Sequence, residues 1–206
     1  MKIKLILSGF LLACSASMTM MADSIPYPSV DVIPPATSFT AAADGDVTAY
    51  YYGGGALFNE LFGLYVNGVQ QGNWALGSHS STVGESVDFG PVKAGDKLVL
   101  ALNVLDTNYT LFSNPYMNPD GINHVYTTAF SGATVNDVTI PTGTYIGWED
   151  SLIGFSDLNY NDEDLVLTNV LPKQPSSDTP EPASAWLFCA GALLTLGFGV
   201  ARKRNS

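Results

Sequence analysis

The sequence has few positive charges and almost no cysteine. Lysine and arginine total 8 of 206 residues against 19 acidic residues, which gives a net charge of −11. Such a chain lacks the basic face that sequence-independent binding to nucleic acid requires. Charged residues of both signs make up 13% of the chain and hydrophobic residues 46%, so a coiled coil and a charge-rich disordered chain are excluded as well.

Both cysteines lie outside the central part of the chain, at Cys14 and Cys189. Residues 23–172 therefore contain no disulfide, no thiolate metal ligand and no cysteine nucleophile. A domain formed by this segment has to be stabilised by packing, and a bound metal ion is the remaining means of reinforcement.

The few basic residues are concentrated at the two ends of the chain. Lys2 and Lys4 precede a short apolar run and then small residues, which is the pattern of a secretory signal peptide. We predict a signal peptide over residues 1–22, with cleavage after Ala22. The segment Leu11–Cys14 also resembles a lipobox, so lipidation of its cysteine is an alternative.

The C-terminal segment has the features of a membrane span. Residues 183–201 carry no charge, and as a helix they would extend for about 28 Å, close to the hydrocarbon thickness of a bilayer. Arg202, Lys203 and Arg204 follow directly, as expected for a helix whose C-terminal end stays in the cytoplasm. We predict a transmembrane helix over residues 183–201 and a basic cytoplasmic tail over residues 202–206.

A linker rich in proline and serine, residues 173–182, connects the span to the central domain. The linker ends in Pro180, Glu181 and Pro182, so that a Pro-Glu-Pro motif, an apolar span and an Arg-rich tail follow one another. This arrangement resembles the PEP-CTERM sorting signal of Gram-negative bacteria. The resemblance implies recognition by an exosortase, which is a membrane transpeptidase. It also implies transient residence in the inner membrane and delivery to the cell surface or the extracellular matrix.

Residues 23–172 have the periodicity of short strands, with no long amphipathic helix. The strand-like runs are residues 47–52, 60–66, 97–105, 124–130, 138–140, 144–148 and 164–170. The run at 97–105 is densely apolar and predicts a central strand buried on both faces, and Asn67-Gly68 between two valines predicts a tight hairpin. We predict an all-β domain over residues 23–172, an antiparallel β-sandwich of the jelly-roll type.

One segment of this domain is rich in oxygen ligands. Six of the eight residues from 157 to 164 carry a carboxylate or an amide. Alternating Asp and Asn residues are typical of the start of a looped Ca²⁺ site, and carboxylates this close repel one another unless a cation or water screens them. We predict a Ca²⁺ site with the candidate ligands Glu149, Asp150, Asp157, Asn159, Asn161, Asp162 and Asp164.

The same residues have a second interpretation. Asp and Asn cap turns with their side chains, so the pattern is equally consistent with a solvated loop that binds no metal. We expect Asp44 and Asp46 to be simple turn residues. The aromatic-Glu-Asp sequence at 148–150 and the Asn-Tyr-Asn-Asp sequence at 159–162 resemble a domain of unknown function common in bacterial surface proteins. That resemblance covers residues 112–170 and implies no activity.

The sequence offers no catalytic constellation. His79 and His124 have no Cys or His partner at ligand spacing, and we expect both at the surface. There is no nucleophile elbow, and no pair of acids stands out as a glycosidase pair. We therefore predict a non-enzymatic surface or matrix protein with a structural or adhesive role, stabilised by Ca²⁺.

The alternative function is a Ca²⁺-dependent carbohydrate-binding module for extracellular polysaccharide. In such a module, exposed aromatic rings stack on the apolar faces of sugars. The candidate rings are Tyr50, Tyr51, Tyr52, Trp74, Tyr109, Tyr116 and Trp148. Exposure of several tyrosines on one sheet face would favour this alternative, and their burial would favour the structural role.

Overall fold

The computed structural model describes residues 31–173. The signal peptide, the Pro-Glu-Pro motif, the transmembrane helix and the basic tail that we predict from the sequence lie outside the described residues. Within residues 31–173, the structure has no helix of the length and apolar character needed to cross a membrane. The helical structure described there is one short 3₁₀ turn at Pro115–Met117.

The described part of the chain consists mainly of β-strands. In chain order they are β1 (Ser38–Ala41), β2 (Gly45–Gly53), β3 (Glu60–Val66), β4 (Val69–Ala75), β5 (Ser86–Val92), β6 (Lys97–Val104), β7 (Tyr109–Phe112), β8 (Val125–Phe130), β9 (Ala133–Val135), β10 (Val138–Ile140), β11 (Gly143–Trp148), β12 (Glu163–Leu167) and β13 (Val170–Lys173). Every pairing among these strands is antiparallel. The prediction of an all-β, antiparallel fold is confirmed.

Two large sheets enclose one hydrophobic core. The first sheet has the order β13-β1-β6-β3-β4, with β7 also paired to β6, and the second has the order β5-β2-β12-β11-β8. Alternate side chains of a strand point to opposite faces, so each sheet contributes one apolar face. Leu64 and Leu100 of the first sheet and Val47 and Leu165 of the second belong to the same buried cluster. The two sheets therefore pack face to face.

The outer face of the second sheet carries a smaller cluster around Tyr145 and Val166. Ile140, from the short hairpin of β9 and β10, is fully buried in this cluster. The ring of Tyr52 packs edge-on against Phe130 and Tyr145, at centroid distances of 5.3 and 5.9 Å. The hairpin thus covers tyrosines that would otherwise face solvent.

Several local predictions can be compared with the strands. The hairpin at Asn67-Gly68 is confirmed, because these residues have φ values of 51° and 86° and connect β3 to β4. The run at 97–105 is the central strand β6, which lies between β3 on one side and β1 and β7 on the other. The single strand predicted at 164–170 is wrong. Asn169 has a φ of 59° and separates β12 in the second sheet from β13 in the first.

Candidate metal centre

The oxygen-rich segment is the loop that connects two neighbouring strands of the second sheet. Strand β11 ends at Trp148 and β12 begins at Glu163, so the loop starts and ends at the same end of the sheet. The N–H of Asp162 donates to the Trp148 carbonyl at 3.0 Å. The N–H of Asp150 donates to Oδ2 of Asp162 at 2.9 Å. These two bonds close the loop and hold the acidic residues of its two ends together.

Three carboxylates meet at the base of the loop, and we call them the triad: Glu149, Asp150 and Asp162. One carboxylate oxygen of each lies within 4.8 Å of the other two. Glu149 and Asp150 are 2% and 4% exposed, and Asp162 is partly buried. Oε2 of Glu149 is buried and has no hydrogen-bond partner. A buried carboxylate oxygen without a donor is unfavourable unless a cation lies beside it or the group takes up a proton.

The electrostatics of the triad favour a positive ion. Burial raises the pKa of Asp162 to about 8, and the negative charges of Asp150 and Glu149 act in the same direction. Burial also raises the pKa of Glu149 and of Asp150, again with a contribution from neighbouring carboxylates. Each charge is therefore costly to form beside the others, and a bound cation would reverse that penalty.

The triad lies in an open cavity of about 670 Å³. The residues that line the cavity are Gly55, Leu57, Phe58, Thr107, Tyr109, Glu149, Asp150, Ser151, Leu152, Phe155, Asp157, Asn159, Asn161 and Asp162. Six of the seven candidate ligands are in this set, and it contains no lysine, arginine or histidine. The sequence thus identified side chains that share one acidic cavity.

Asp164 is the candidate ligand that does not line the cavity. It lies on β12 next to Glu163, and adjacent residues of a strand point to opposite faces of the sheet. Glu163 points toward the core, so Asp164 points toward the outer face, where burial and the charge of Asp164 raise the pKa of Tyr52. The period of the strand therefore separates Asp164 from the other candidates.

Two of the three alternating candidates, Asp157 and Asn159, cap their own loop with their side chains. The N–H of Asn159 donates to Oδ1 of Asp157 at 3.3 Å, and the N–H of Asn161 donates to Oδ1 of Asn159 at 3.1 Å. Between them, Tyr160 has a φ of 53° and a fully buried ring. The turn-capping interpretation describes these contacts, while the side chains of the same three residues line the cavity.

A glycine-rich segment closes one side of the site. The N–H of Gly55 donates to the carbonyls of Asn161 and Asp162, at 2.8 and 3.2 Å. A Cβ at Gly54 would overlap the carbonyl oxygen of Asp162. The close packing of this segment on the end of the acidic loop therefore requires glycine at position 54.

Two buried acidic residues near the triad were missed by the sequence reasoning. Glu60 is the first residue of β3 and Glu163 is the first residue of β12, and they are 2% and 0% exposed. Each begins an alternating series, continued by Phe62 in β3 and by Leu165 in β12, that faces the core. That alternation is the signal that would have identified both as inward-facing.

The expectation that His124 lies at the surface is wrong. His124 is 2% exposed, its Nδ1 lies 3.1 Å from the Glu149 carbonyl oxygen, and its Nε2 lies 3.2 Å from the Asp120 carboxylate. Burial would raise the pKa of Asp120, but backbone N–H donors and His124 lower it. His124 therefore positions the backbone of the triad. His79 is exposed, as expected.

The donor set defines the chemistry that the centre can perform. Carboxylate and amide oxygens on an irregular loop suit Ca²⁺, whereas Zn²⁺ would require histidine or cysteine, which the cavity lining lacks. No protein-family model, curated protein or solved structure matches this chain.

Proposed function

We propose that this protein is an exported, non-enzymatic component of the cell surface or extracellular matrix, built as a jelly-roll-type β-sandwich that Ca²⁺ stabilises. The observation that carries the Ca²⁺ assignment is the buried triad, in which Glu149 has an oxygen without a hydrogen-bond partner. A cation bound there would compensate the buried charges and fasten both ends of loop 149–162.

The remaining ligands fit the coordination habits of Ca²⁺. This ion takes about six to eight oxygen ligands in flexible geometry. The triad supplies three carboxylates, and Asp157, Asn159 and Asn161 line the same cavity. The opening of the cavity leaves room for water to complete the coordination.

The proposed location at the cell surface or in the matrix is based on the sequence. Residues 180–206 resemble a PEP-CTERM signal, with the Pro-Glu-Pro motif, the apolar span and the basic tail in the expected order. The resemblance names an exosortase as the processing partner and the inner membrane as a transient location. The lack of cysteine in residues 23–172 is compatible with a domain that relies on packing and a metal ion outside the cell.

Burial of the aromatic rings supports a structural role over sugar stacking on a sheet face. Trp148 and Tyr51 are 0% and 4% exposed, and Tyr50 and Tyr52 pack against the outer cluster of the second sheet. Among the seven candidate rings, Tyr116 is the fully exposed one, at 97%. The tyrosines of the second sheet therefore serve packing.

One feature favours a second candidate function, Ca²⁺-dependent carbohydrate binding in the acidic cavity itself. Leu57 and Phe155 line the cavity, and their side chains are 91% and 90% exposed. A flat apolar ring beside a Ca²⁺ ion can stack on a sugar while the sugar hydroxyls coordinate the ion. The cavity volume of about 670 Å³ lies within the range of small-molecule sites. This function requires the same cation, so Ca²⁺ binding is the first property to test.

Thermal unfolding tests the Ca²⁺ assignment. The full chain, purified in a mild detergent, is heated in chelator and again in millimolar Ca²⁺. Ca²⁺ at 100 times its Kd adds about 2.7 kcal/mol to the free energy of unfolding, a rise of several degrees. The double variant Asp157→Asn and Asp162→Asn should lose this increment. An equal loss of stability in chelator and in Ca²⁺ would reject the metal and leave a capped, solvated loop.

Co-expression with an exosortase tests the proposed sorting signal and surface location. The wild-type chain should lose its C-terminal segment and reach the cell surface, as measured by intact mass and by surface labelling. A variant with alanine at Pro180, Glu181 and Pro182 should keep the segment and stay in the inner membrane. A wild-type chain that keeps its tail would contradict the sorting proposal and leave the Ca²⁺ assignment unaffected.

A further inference from the structure

A second pair of carboxylates lies deeper in the fold than the triad. Glu60 belongs to the first sheet and Glu163 to the second, and both side chains are on the inward faces that form the shared core. They are 2% and 0% exposed, and none of their four carboxylate oxygens has a hydrogen-bond partner. Two acidic side chains thus lie on the inward faces of opposite sheets, and the Ser78 hydroxyl, which is close to Glu60, donates to the Phe58 carbonyl at 3.4 Å.

The deep pair is coupled electrostatically to the triad. Burial raises the pKa of Glu60 to about 8, and the charges of Asp150 and Asp162 act in the same direction. Burial also raises the pKa of Glu163 well above its ordinary value, with the charge of Glu60 as the next cause. Glu60 is therefore coupled electrostatically both to the triad and to Glu163, although neither glutamate lines the open cavity.

No lysine in the described residues is placed to neutralise this pair. Lys97 starts β6, and Glu60 pairs with Val104 at the opposite end of that strand. Lys93 forms a salt bridge with Asp44, just before the first residue of β2, whereas the acidic cavity lies at the other end of that strand. Lys173 is exposed. The described lysines therefore leave the pair without a fixed positive charge beside it, and either protons or a cation from solution compensates its charge.

The indole of Trp148 adds an independent observation. Trp148 lies opposite Glu163 in the register of β11 and β12, and its side chain is fully buried in the shared core. Its Nε1–H has no acceptor in the described structure. A water molecule bound to a cation beside Glu163 would accept a hydrogen bond from this N–H. One hydrated ion would then provide partners for the carboxylates and for the indole.

We propose that Glu60 and Glu163 bind a second divalent cation, distinct from the one at the triad, and that this ion links the two sheets. The proposal rests on the proposed function, because the charges of the pair and of the triad are coupled. Two glutamates offer four oxygens, and the Ser78 hydroxyl beside Glu60 and water supply the rest of a Ca²⁺ coordination shell. The outer ion fastens one loop of the second sheet, whereas the inner ion connects β3 to β12.

Counting bound ions tests the proposal. The full chain in mild detergent is stripped with chelator, and Ca²⁺ is then counted by native mass spectrometry and by titration calorimetry. The wild type should bind two Ca²⁺ per chain, and the double variant Glu60→Gln and Glu163→Gln should bind one. Glu85→Gln is the matched control, because Glu85 is exposed and outside the cavity lining, and it should bind two.

The outcomes separate the two proposals. One Ca²⁺ in the wild type overturns the second site and leaves the triad, and no Ca²⁺ overturns the triad as well. Two Ca²⁺ in both the wild type and the double variant would also overturn the assignment to Glu60 and Glu163. A wild-type count below two decides against the inner site even if the double variant does not fold, and the terbium signal of the single variant Glu163→Gln tests a count of two.

Terbium luminescence gives a readout that a purely structural role would not change. Tb³⁺ in the inner site would be sensitised by Trp148, the cross-strand neighbour of Glu163. Tb³⁺ at the triad is also close to Trp148, so we expect Glu163→Gln to lower the tryptophan-sensitised intensity to the part that comes from the triad, and Glu85→Gln to keep it in full. An undiminished intensity in Glu163→Gln would overturn the inner site.

Discussion

Strand β2 connects two acidic regions that differ in electrostatic character. Asp44 precedes the strand, is exposed, and accepts hydrogen bonds from Nζ of Lys93 at 3.0 Å and from the N–H of Ala94 at 2.9 Å. These bonds, the backbone one above all, lower its pKa. Beyond the other end of β2, burial and neighbouring carboxylates raise the pKa of Asp162 to about 8. The carboxylate of the first region has donors and a positive charge within the protein, and the carboxylates of the second region lack them.

The turn at Asp96 belongs to the first region. Its carboxylate accepts the N–H of Lys93 at 2.7 Å and the side-chain amide of Asn67 at 2.9 Å, and its pKa is lowered by these donors. In the triad, Glu149 instead has a buried oxygen with no donor. Acidity alone therefore does not indicate a cation site in this chain. Burial without donors is the distinguishing feature.

The largest predicted effect on stability comes from Gly54, which follows β2 and packs against the end of the acidic loop. In Gly54→Ala, the new Cβ overlaps the Asp162 carbonyl, so the backbone at the end of the acidic loop has to move. We expect a loss of about 1–3 kcal/mol from this overpacking, together with loss of the Ca²⁺ increment. Thermal unfolding in chelator and in Ca²⁺ measures both.

Gly55→Ala is the matched control for this variant. The nearest atom to a Cβ at Gly55 is 3.6 Å away, so the methyl group fits without displacement. We expect stability and Ca²⁺ response close to those of the wild type. Equal losses in the two variants would show that the glycine segment matters for its flexibility and not for its close packing on Asp162.

Neutralising one carboxylate in each region should have opposite effects in metal-free protein. Asp162→Asn keeps the acceptor for the Asp150 N–H and removes a buried charge, so at pH 8 in chelator we expect a higher melting temperature than the wild type. The same variant should lose most of the Ca²⁺ increment, about 2.7 kcal/mol at 100 times Kd. Asp44→Asn should lower the melting temperature slightly and keep the increment, because it only weakens exposed bonds.

The two acidic regions would not differ in Ca²⁺ binding if Ca²⁺ raised the melting temperature of Asp162→Asn as much as that of Asp44→Asn. A metal-free Asp162→Asn protein that is less stable than the wild type at pH 8 would show that the Asp162 charge is compensated within the fold. Both outcomes are read from the same melting curves.

The two regions also predict a specific pH dependence. Glu60 and Asp162 have pKa values raised to about 8, so the metal-free folded state keeps protons that the unfolded chain releases near pH 4. Their contribution is complete below that range and is lost as the pH rises toward 8. Asp44 and Asp96 have lowered pKa values, and their contribution is lost in acid.

Metal-free protein should therefore be most stable in mildly acidic solution, with a melting temperature that falls by several degrees toward pH 8. Ca²⁺ should reverse this slope, because its ligands bind it in the deprotonated form. Melting temperatures from pH 4 to 9, with and without Ca²⁺, measure both slopes. Metal-free protein that gains stability up to pH 8 would contradict the raised pKa values.

Sequence periodicity predicted the strands with a clear apolar pattern, among them the edge strand β8, and missed several with a weaker pattern, among them β1 inside the first sheet. The dense apolar run of β6 and the alternation of β3 were readily identified. Of the missed strands, β4 and β5 lie at the edges of their sheets, where β4 carries amides and β5 carries Gly90 and Pro91. Edge strands tolerate such residues because one side makes no ladder, so their composition resembles that of loops.

The candidate site was predictable as far as it is local in the chain. Glu149, Asp150 and Asp162 belong to one loop. Acidic residues at the start and at the end of a loop between paired strands are expected to meet. Glu60 reaches the same region through the packing of one sheet on the other, which no short-range pattern reveals. Asp164 was misplaced for the opposite reason, because nearness in sequence does not overcome the alternation of a strand.

The smallest predicted effect concerns a hydrogen bond that supports the acidic region from β7. The hydroxyl of Tyr109 donates to the Asp150 carbonyl at 2.9 Å, and its ring lines the cavity. Tyr109→Phe should lower the free energy of unfolding by about 1 kcal/mol and weaken Ca²⁺ binding a few-fold. Tyr116→Phe, which alters a ring that is 97% exposed, should change neither quantity. If Tyr109→Phe lowers stability but leaves Ca²⁺ affinity at the wild-type value, the backbone of Asp150 is positioned by the loop alone, and the donors around the triad act on the fold and not on the ion.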